Sequence, residues 1–236
     1  MALVGADGAG KTTMARRIAG EAPLPLRYLY MGVSRRSSNR MLPTTWLQWQ
    51  AKRLLGRARA EGGPPDPDRR KRTGSPGLRS QLRYQAKEAV HLLNLLAEEW
   101  FRQLLTTYYQ LRGYIVIFDR HFFLDYYAHD VDPLEDRRSL FRRLHGVLLQ
   151  RLLPRPDLVI LLDAPAHVLF SRKPEGTVEL IERRRQEYWR LKDKVPHFVV
   201  VDATKAEDDV AQAIVSCIRA HDAQRTARKQ EVITER

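Results

Sequence analysis

Cysteine is almost missing: Cys217 is the only one in 236 residues. A lone thiol cannot close a disulfide within the chain, which excludes a disulfide-stapled scaffold and makes a reducing, cytoplasmic setting the natural expectation. Long apolar runs are missing as well. The richest stretches, Leu92–Leu105 and Leu158–Leu162, are broken by Asn94, Glu98 and Glu99 or are too short, so neither offers the roughly 20 apolar residues of a membrane span. No basic segment leading into an apolar stretch opens the sequence, and no signal peptide is expected. Only Met1, Ala2, Leu3 and Val4 precede the first glycine loop, so either the natural start lies upstream or the first strand is abbreviated.

Acidic residues are scarce beside basic ones, 28 against 41, for a formal net charge of +13. The excess is local, because the stretch Ser34–Tyr84 holds 13 Lys or Arg and only 3 Asp or Glu. A basic insertion beside an anion-binding site accounts for that as well as a nucleic-acid face would. Basic and aromatic residues do not alternate as in a base-stacking platform. The expected partner is therefore a phosphate, an acidic surface or a small polyanionic substrate rather than nucleic acid.

What is present is ordinary globular composition, 43% hydrophobic and 29% charged. Short apolar runs bounded by turn signals predict strands over Ala2–Val4, Arg27–Met31, Tyr114–Phe118, Leu158–Leu162 and His197–Val201. Three of them end directly at an acid: Asp119, Asp163 and Asp202. Continuous rather than alternating apolar runs suit strands buried on both faces, as in a parallel sheet. Helical patterns fill the gaps at Lys11–Ala19, Pro43–Arg59, Leu78–Leu111, Leu134–Leu152, Thr177–Lys192 and Lys205–Ala220. In the longest, Leu82, Ala86, Ala89, Leu93, Leu96, Trp100, Leu104 and Tyr108 recur at three and four residues and are expected to be core. Strands alternating with helices predict one α/β domain over residues 1–221. Residues 56–77, rich in Gly, Pro and Arg, read as a flexible basic insertion, and residues 222–236 as a loose polar tail.

The strongest signal is Gly5, Ala6, Asp7, Gly8, Ala9, Gly10, Lys11 and Thr12, with Thr13 following, which fits G-x-x-x-x-G-K-[ST] between a strand and a helix. Glycines let backbone N–H groups close around phosphate oxygens, and a helix starting near Lys11 points its positive end at the same anion. Lys11 suits the β- and γ-phosphates of ATP, and the Thr12 hydroxyl suits Mg²⁺. A guanine-reading N-K-x-D segment is absent, and motors or helicases need a larger chain. A small-molecule kinase is the expectation.

These residues resemble the thymidylate kinase group of P-loop kinases. An acid inside the loop (Asp7), the run Phe118, Asp119, Arg120, His121 at a strand end, and Leu161, Leu162, Asp163, Ala164, Pro165 before an arginine-rich stretch occur in that family's order. The resemblance implies a P-loop three-layer fold with a five-stranded parallel sheet in order 2-3-1-4-5 and helices on both faces. It implies that Asp7 faces the acceptor's sugar hydroxyl or the transferring group, that Asp119 holds the Mg²⁺ shell or orients the attacking oxygen, and that Arg120 binds the acceptor phosphate. Arg172 and one or more of Arg183, Arg184 and Arg185 would form a lid over residues 172–188; at 100° per residue not all three consecutive arginines can reach one site. His121 and His91 read as scaffold, and Asp163 fits a structural or a site role equally. Family members are commonly dimers, which the long apolar helix would allow.

The departures fall on the acceptor side. Residues Tyr30–Asn39 replace the family's Arg-Glu-Pro-Gly-Gly-Thr-like segment. Ala86, Lys87, Glu88 and Ala89 stand as the best match to its Ala-Asp-Arg-Ala, and Phe122–His129 is unlike its counterpart. Arg35, Arg36, Asp125 and Tyr126 are candidates for a rebuilt acceptor pocket. Three functions stay open: a nucleoside monophosphate kinase, a kinase of a sugar or other metabolite on the same frame, and an ATP-binding regulatory module of low turnover.

Overall fold

The strands form where β-branched and leucine-rich runs can be covered on both sides. The computed structural model describes residues 1–32, 39–40, 42–54, 78–126 and 140–234. Five strands, β1 (Ala2–Val4), β2 (Leu26–Tyr30), β3 (Ile115–Asp119), β4 (Leu158–Asp163) and β5 (His197–Asp202), make one parallel sheet in the order β2-β3-β1-β4-β5. This is the expected order. The central strand β1 is only three residues long, yet all three are buried between β3 and β4. Its register pairs Leu3 with Asp119 on one side and with Ile160 on the other, which brings the glycine loop and the acid that ends β3 to the same end of the sheet.

The helices are α1 (Lys11–Glu21), α2 (Pro43–Leu54), α3 (Leu78–Leu111), α4 (Phe122–Tyr126), α5 (Leu140–Leu152), α6 (Ala166–Arg172), α7 (Val178–Trp189) and α8 (Glu207–Thr234). Residues 55–59 and 134–139, expected to be helical, and the basic stretch 56–77 lie outside the described residues. Helix α8 runs well past the expected end at Ala220. The tail after Asp222, expected to be loose, is helical as far as Thr234, because it is built from Ala, Gln, Arg and Lys with no Gly or Pro to stop it.

The chain divides into two compact units. The first comprises Met1–Tyr28, Arg112–His121 and Arg155–Arg236; the second comprises Leu29–Leu111 and Phe122–Pro154. The core of the first gathers Leu3, Ile18, Ile117, Ile160, Leu162, Leu169, Ile214 and Ile218. Each such side chain contributes about 1.5–3 kcal/mol on leaving water.

The second unit buries Leu29, Met31, Phe122, Leu124 and Leu149, but its helix α3 departs from the expected pattern. In α3 the side chains of Leu93, Trp100, Leu104 and Tyr108, expected to be core, are 66, 41, 64 and 47% exposed. The buried face carries Leu92, Glu98, Glu99, Arg102 and Thr106 instead. Spacing at three and four residues identified a shared face of the helix but could not say which face lies inside.

Candidate active site

The glycine loop follows β1 and must pass close to neighbouring backbone. A Cβ on Gly5 would sit 2.5 Å from the Leu162 carbonyl oxygen, and one on Gly8 would sit 2.3 Å from that of Leu169. Both are below any real carbon–oxygen contact, so glycine is required there. Gly10, in the left-handed region, is the N-cap of α1 and offers no side chain to the helix end; the first turn of α1 contains no acid. Helix α8 has Glu207, Asp208 and Asp209 in its first turn. One helix supplies its own negative charge at the positive end, whereas α1 leaves that end to an outside anion. Lys11 is buried, and its Nζ donates to the Ala6 carbonyl at 2.7 Å, inside the loop.

Asp7 gathers arginines. Arg120 donates through Nη2 to Asp7 Oδ1 at 2.8 Å, and Arg184, from α7, donates to Asp7 Oδ2. Burial alone would raise the Asp7 carboxyl, but the charges of Lys11, Arg120 and Arg184 outweigh it and hold the group below the usual carboxylate range. Arg120 also has a left-handed backbone, φ 67°, the one non-glycine positive φ among the described residues. That conformation costs about 1–3 kcal/mol and clusters at functional positions. It is held here by the Arg120 N–H on the Leu3 carbonyl, 3.2 Å, and by the Asp7 pair.

The three strand-end acids have different partners. Asp119 is fully buried. Its Oδ2 accepts from the Thr12 hydroxyl at 2.6 Å and from the Tyr28 hydroxyl at 3.1 Å, while its buried Oδ1 has no hydrogen-bond partner. Asp163 takes a two-pronged grip from Arg185, 2.8 and 2.9 Å, plus Trp189 Nε1 at 3.3 Å. Asp202 accepts from the Thr204 N–H and hydroxyl, which hold its carboxyl low. A buried carboxylate oxygen without a donor is expensive. With a threonine hydroxyl on the same carboxylate, the pair Thr12 and Asp119 fits a hard divalent cation such as Mg²⁺, which takes oxygen ligands.

Of the residues singled out in the sequence, Asp7, Lys11, Thr12, Asp119, Arg120 and Arg184 come together here. Arg185 goes to Asp163 and Glu182, and Arg183 pairs at 3.9 Å with Glu187. Arg172 is exposed and donates to the Ala203 carbonyl at 2.7 Å, so it is anchored to the loop after β5. Thr13 is exposed on α1. His121 is buried, which pushes its pKa down to about 3 and keeps the ring neutral, in line with a scaffold role. Arg35 and Arg36 lie outside the described residues, as do the side chains of Lys87, Glu88, His91 and Tyr126; Asp125 is half-buried on α4.

Sequence reasoning missed Tyr28, which reaches Asp119 across the sheet, and the buried cluster of the second unit. There Arg102 donates to the Gly32 carbonyl at 2.9 Å, Glu98 accepts from the Leu42 N–H at 3.2 Å, and His145 Nε2 lies 3.0 Å from Glu99 Oε1. The interruption of the apolar run at Glu98 and Glu99 was the available signal.

No family model matches the chain, and no curated protein matches it either. Among solved structures, deoxyadenosine kinase from M. mycoides with the products dCMP and dCDP bound aligns over 93% of this chain and 98% of its own, at 16% identity and a TM-score of 0.50. The same enzyme with bound dATP aligns over 92% and 98%, at 17% identity and a TM-score of 0.49. At such identities the likeness is one of fold. The chain has the fold of a P-loop kinase.

Proposed function

We propose that this protein is an ATP- and Mg²⁺-dependent phosphotransferase that moves the γ-phosphoryl group onto a nucleoside or nucleoside monophosphate. The observation that carries the reading is the set formed by the bare α1 N-terminus, Lys11, the Thr12–Asp119 pair and the arginines on Asp7. Phosphoryl transfer needs cations around three equatorial oxygens and little else from the protein. Lys11 and the loop N–H groups bind the phosphate tail. Thr12 and Asp119 would hold Mg²⁺, which when bound neutralises phosphate charge. Arg120 and Arg184, each with Asp7 as partner, are placed to exchange that carboxylate for a phosphate, and the short α6–α7 segment carrying Arg172 and Arg185 excludes water as a lid. The thymidylate-kinase-like motifs and the deoxyadenosine kinase fold both support a nucleoside or nucleotide acceptor.

Steady-state ADP release with a panel of nucleosides, nucleoside monophosphates and sugars tests this. Stimulation by a nucleoside or its monophosphate is expected. Stimulation by a sugar alone would move the acceptor to another class. ATP binding without stimulated turnover would favour a regulatory module, and no binding of ATP with Mg²⁺ would end the reading.

We also propose that the chain self-associates through α3. Val90, Leu93, Trp100, Leu104 and Leu111 are all exposed and follow a three-four spacing along some 20 residues. With Tyr108 they offer on the order of 700 Å² per copy, close to the ~800 Å² per partner of a standard interface. A dimer by sedimentation that becomes monomeric in L93E/L104E is expected; a monomeric wild type excludes it. Among the described residues, no helix is long and apolar enough to cross a membrane.

A further inference from the structure

Asp119 has one carboxylate oxygen bonded twice and the other not at all. The Thr12 hydroxyl is one donor to Oδ2, and it can keep that bond while an oxygen lone pair faces the cation, but a single hydrogen bond leaves the carboxylate some freedom to turn. The second donor is Tyr28, from β2, 91 residues away in sequence. Its ring is half-buried, with the Arg16 guanidinium 5.5 Å from the ring centroid, so the phenol is packed in place rather than swinging in solvent. Two donors on Oδ2 fix the rotation of the carboxylate about its Cβ–Cγ bond. That rotation leaves Oδ1 as the buried atom with no hydrogen-bond partner.

We propose that Tyr28 is a positioning residue for the metal site: it holds Oδ2 of Asp119 so that Oδ1 is presented to the divalent cation of the bound nucleotide. The inference rests on the Thr12–Asp119 reading above. Tyr28 touches neither cation nor phosphate in this scheme. Its effect is to remove the carboxylate's rotational freedom before the metal arrives, the usual value of a supporting hydrogen bond around a metal ligand. Its loss should weaken cation affinity while leaving nucleotide affinity and the rate at saturating cation nearly unchanged.

The test uses the full chain with Mn²⁺ as the probe. Free Mn²⁺ is followed by electron paramagnetic resonance in the presence of a non-hydrolysable ATP analogue, for wild type, Y28F and D119N. ADP release is measured in parallel against Mg²⁺ concentration. Y28F should raise the Mn²⁺ dissociation constant and the Mg²⁺ half-saturation about 10-fold, the low end of the scale for a supporting bond around a metal ligand. Analogue affinity in EDTA and the rate at saturating Mg²⁺ should stay within about 2-fold. Y28M, which keeps the bulk without the hydroxyl, should behave like Y28F and serves in its place if Y28F melts below the assay temperature. Equal Mn²⁺ affinity in wild type and the hydroxyl-less variants overturns the proposal for Tyr28 alone. Equal affinity in wild type and D119N, or none in wild type, overturns the metal site beneath it.

Discussion

The two units of this chain use buried charge in opposite ways. In the first, Asp7, Arg120 and Arg184 keep 12, 19 and 22% of their side-chain surface in contact with solvent. Such groups can trade one partner for another when an anion arrives. In the second, Glu99 and His145 retain 0 and 2%, and Glu98 and Arg102 retain 9 and 6%. A sealed pair has no incoming partner to trade for. Its members tie Gly32, Leu42 and α5 to one face of α3, and their value is in fixing an arrangement. Solvent access separates the exchangeable Asp7–arginine cluster from the internal brace; Lys11 and Asp119, as buried as the brace, stand at the glycine loop instead, where Asp119 keeps one oxygen without a hydrogen-bond partner.

That contrast breaks most visibly at the ends. Lys11→Ala removes a cation from the phosphate tail and should lower the rate of ADP release by about 10³-fold, with an unchanged melting curve. His145→Ala should do the reverse. Stranding the Glu99 carboxylate in the second unit should cost about 3 kcal/mol in urea unfolding, while ATP affinity of the folded fraction is retained. A variant at 145 that melts normally but cannot turn over would place the buried cluster in the reaction and erase the distinction.

His121 is one of the sealed groups of the first unit, and pH exposes it. Burial lowers its pKa from 6.5 to about 3. Below pH 6.5 the unfolded chain takes up a proton that the native ring refuses, so stability is complete above 6.5 and is lost as pH falls toward 3. The slope approaches about 1.4 kcal/mol per pH unit. Urea midpoints at pH 7, 6 and 5 should fall in wild type, and His121→Asn should flatten this part of the profile. A wild-type profile that is flat over this range would show that the ring titrates normally.

How far the sequence discloses these features follows from how local each one is. The loop from Gly5 to Thr12 is contiguous, so its chemistry is written in eight adjacent letters. Asp119 and Arg120 are legible because an apolar strand delivers whatever follows it to one end of a parallel sheet. Tyr28 is not legible, since its role depends on β2 and β3 lying side by side. Helix α3 misleads for a related reason. Periodicity reports that Leu93, Trp100 and Leu104 share a face, whereas the partners that make Glu98, Glu99 and Arg102 tolerable inside, namely Leu42, Gly32 and His145, are 46 to 70 residues away along the chain.

The smallest effect is the finest test of the same idea, within three adjacent arginines. One turn of 100° per residue sends Arg184 to Asp7, Arg185 to Asp163 and Arg183 outward, where its side chain is 55% exposed and only 3.9 Å pairing with Glu187 holds it. An exposed pair on one helix contributes about 0.3–0.5 kcal/mol at most. Arg183→Ala should therefore shift the melting curve barely and leave ADP release within about 2-fold, whereas Arg184→Ala, which takes a cation from Asp7 and the phosphates, should slow it about 10- to 100-fold. Equal losses at 183 and 184 would mean that the helix presents charge in bulk, and that the partner seen for each guanidinium carries no information about its task.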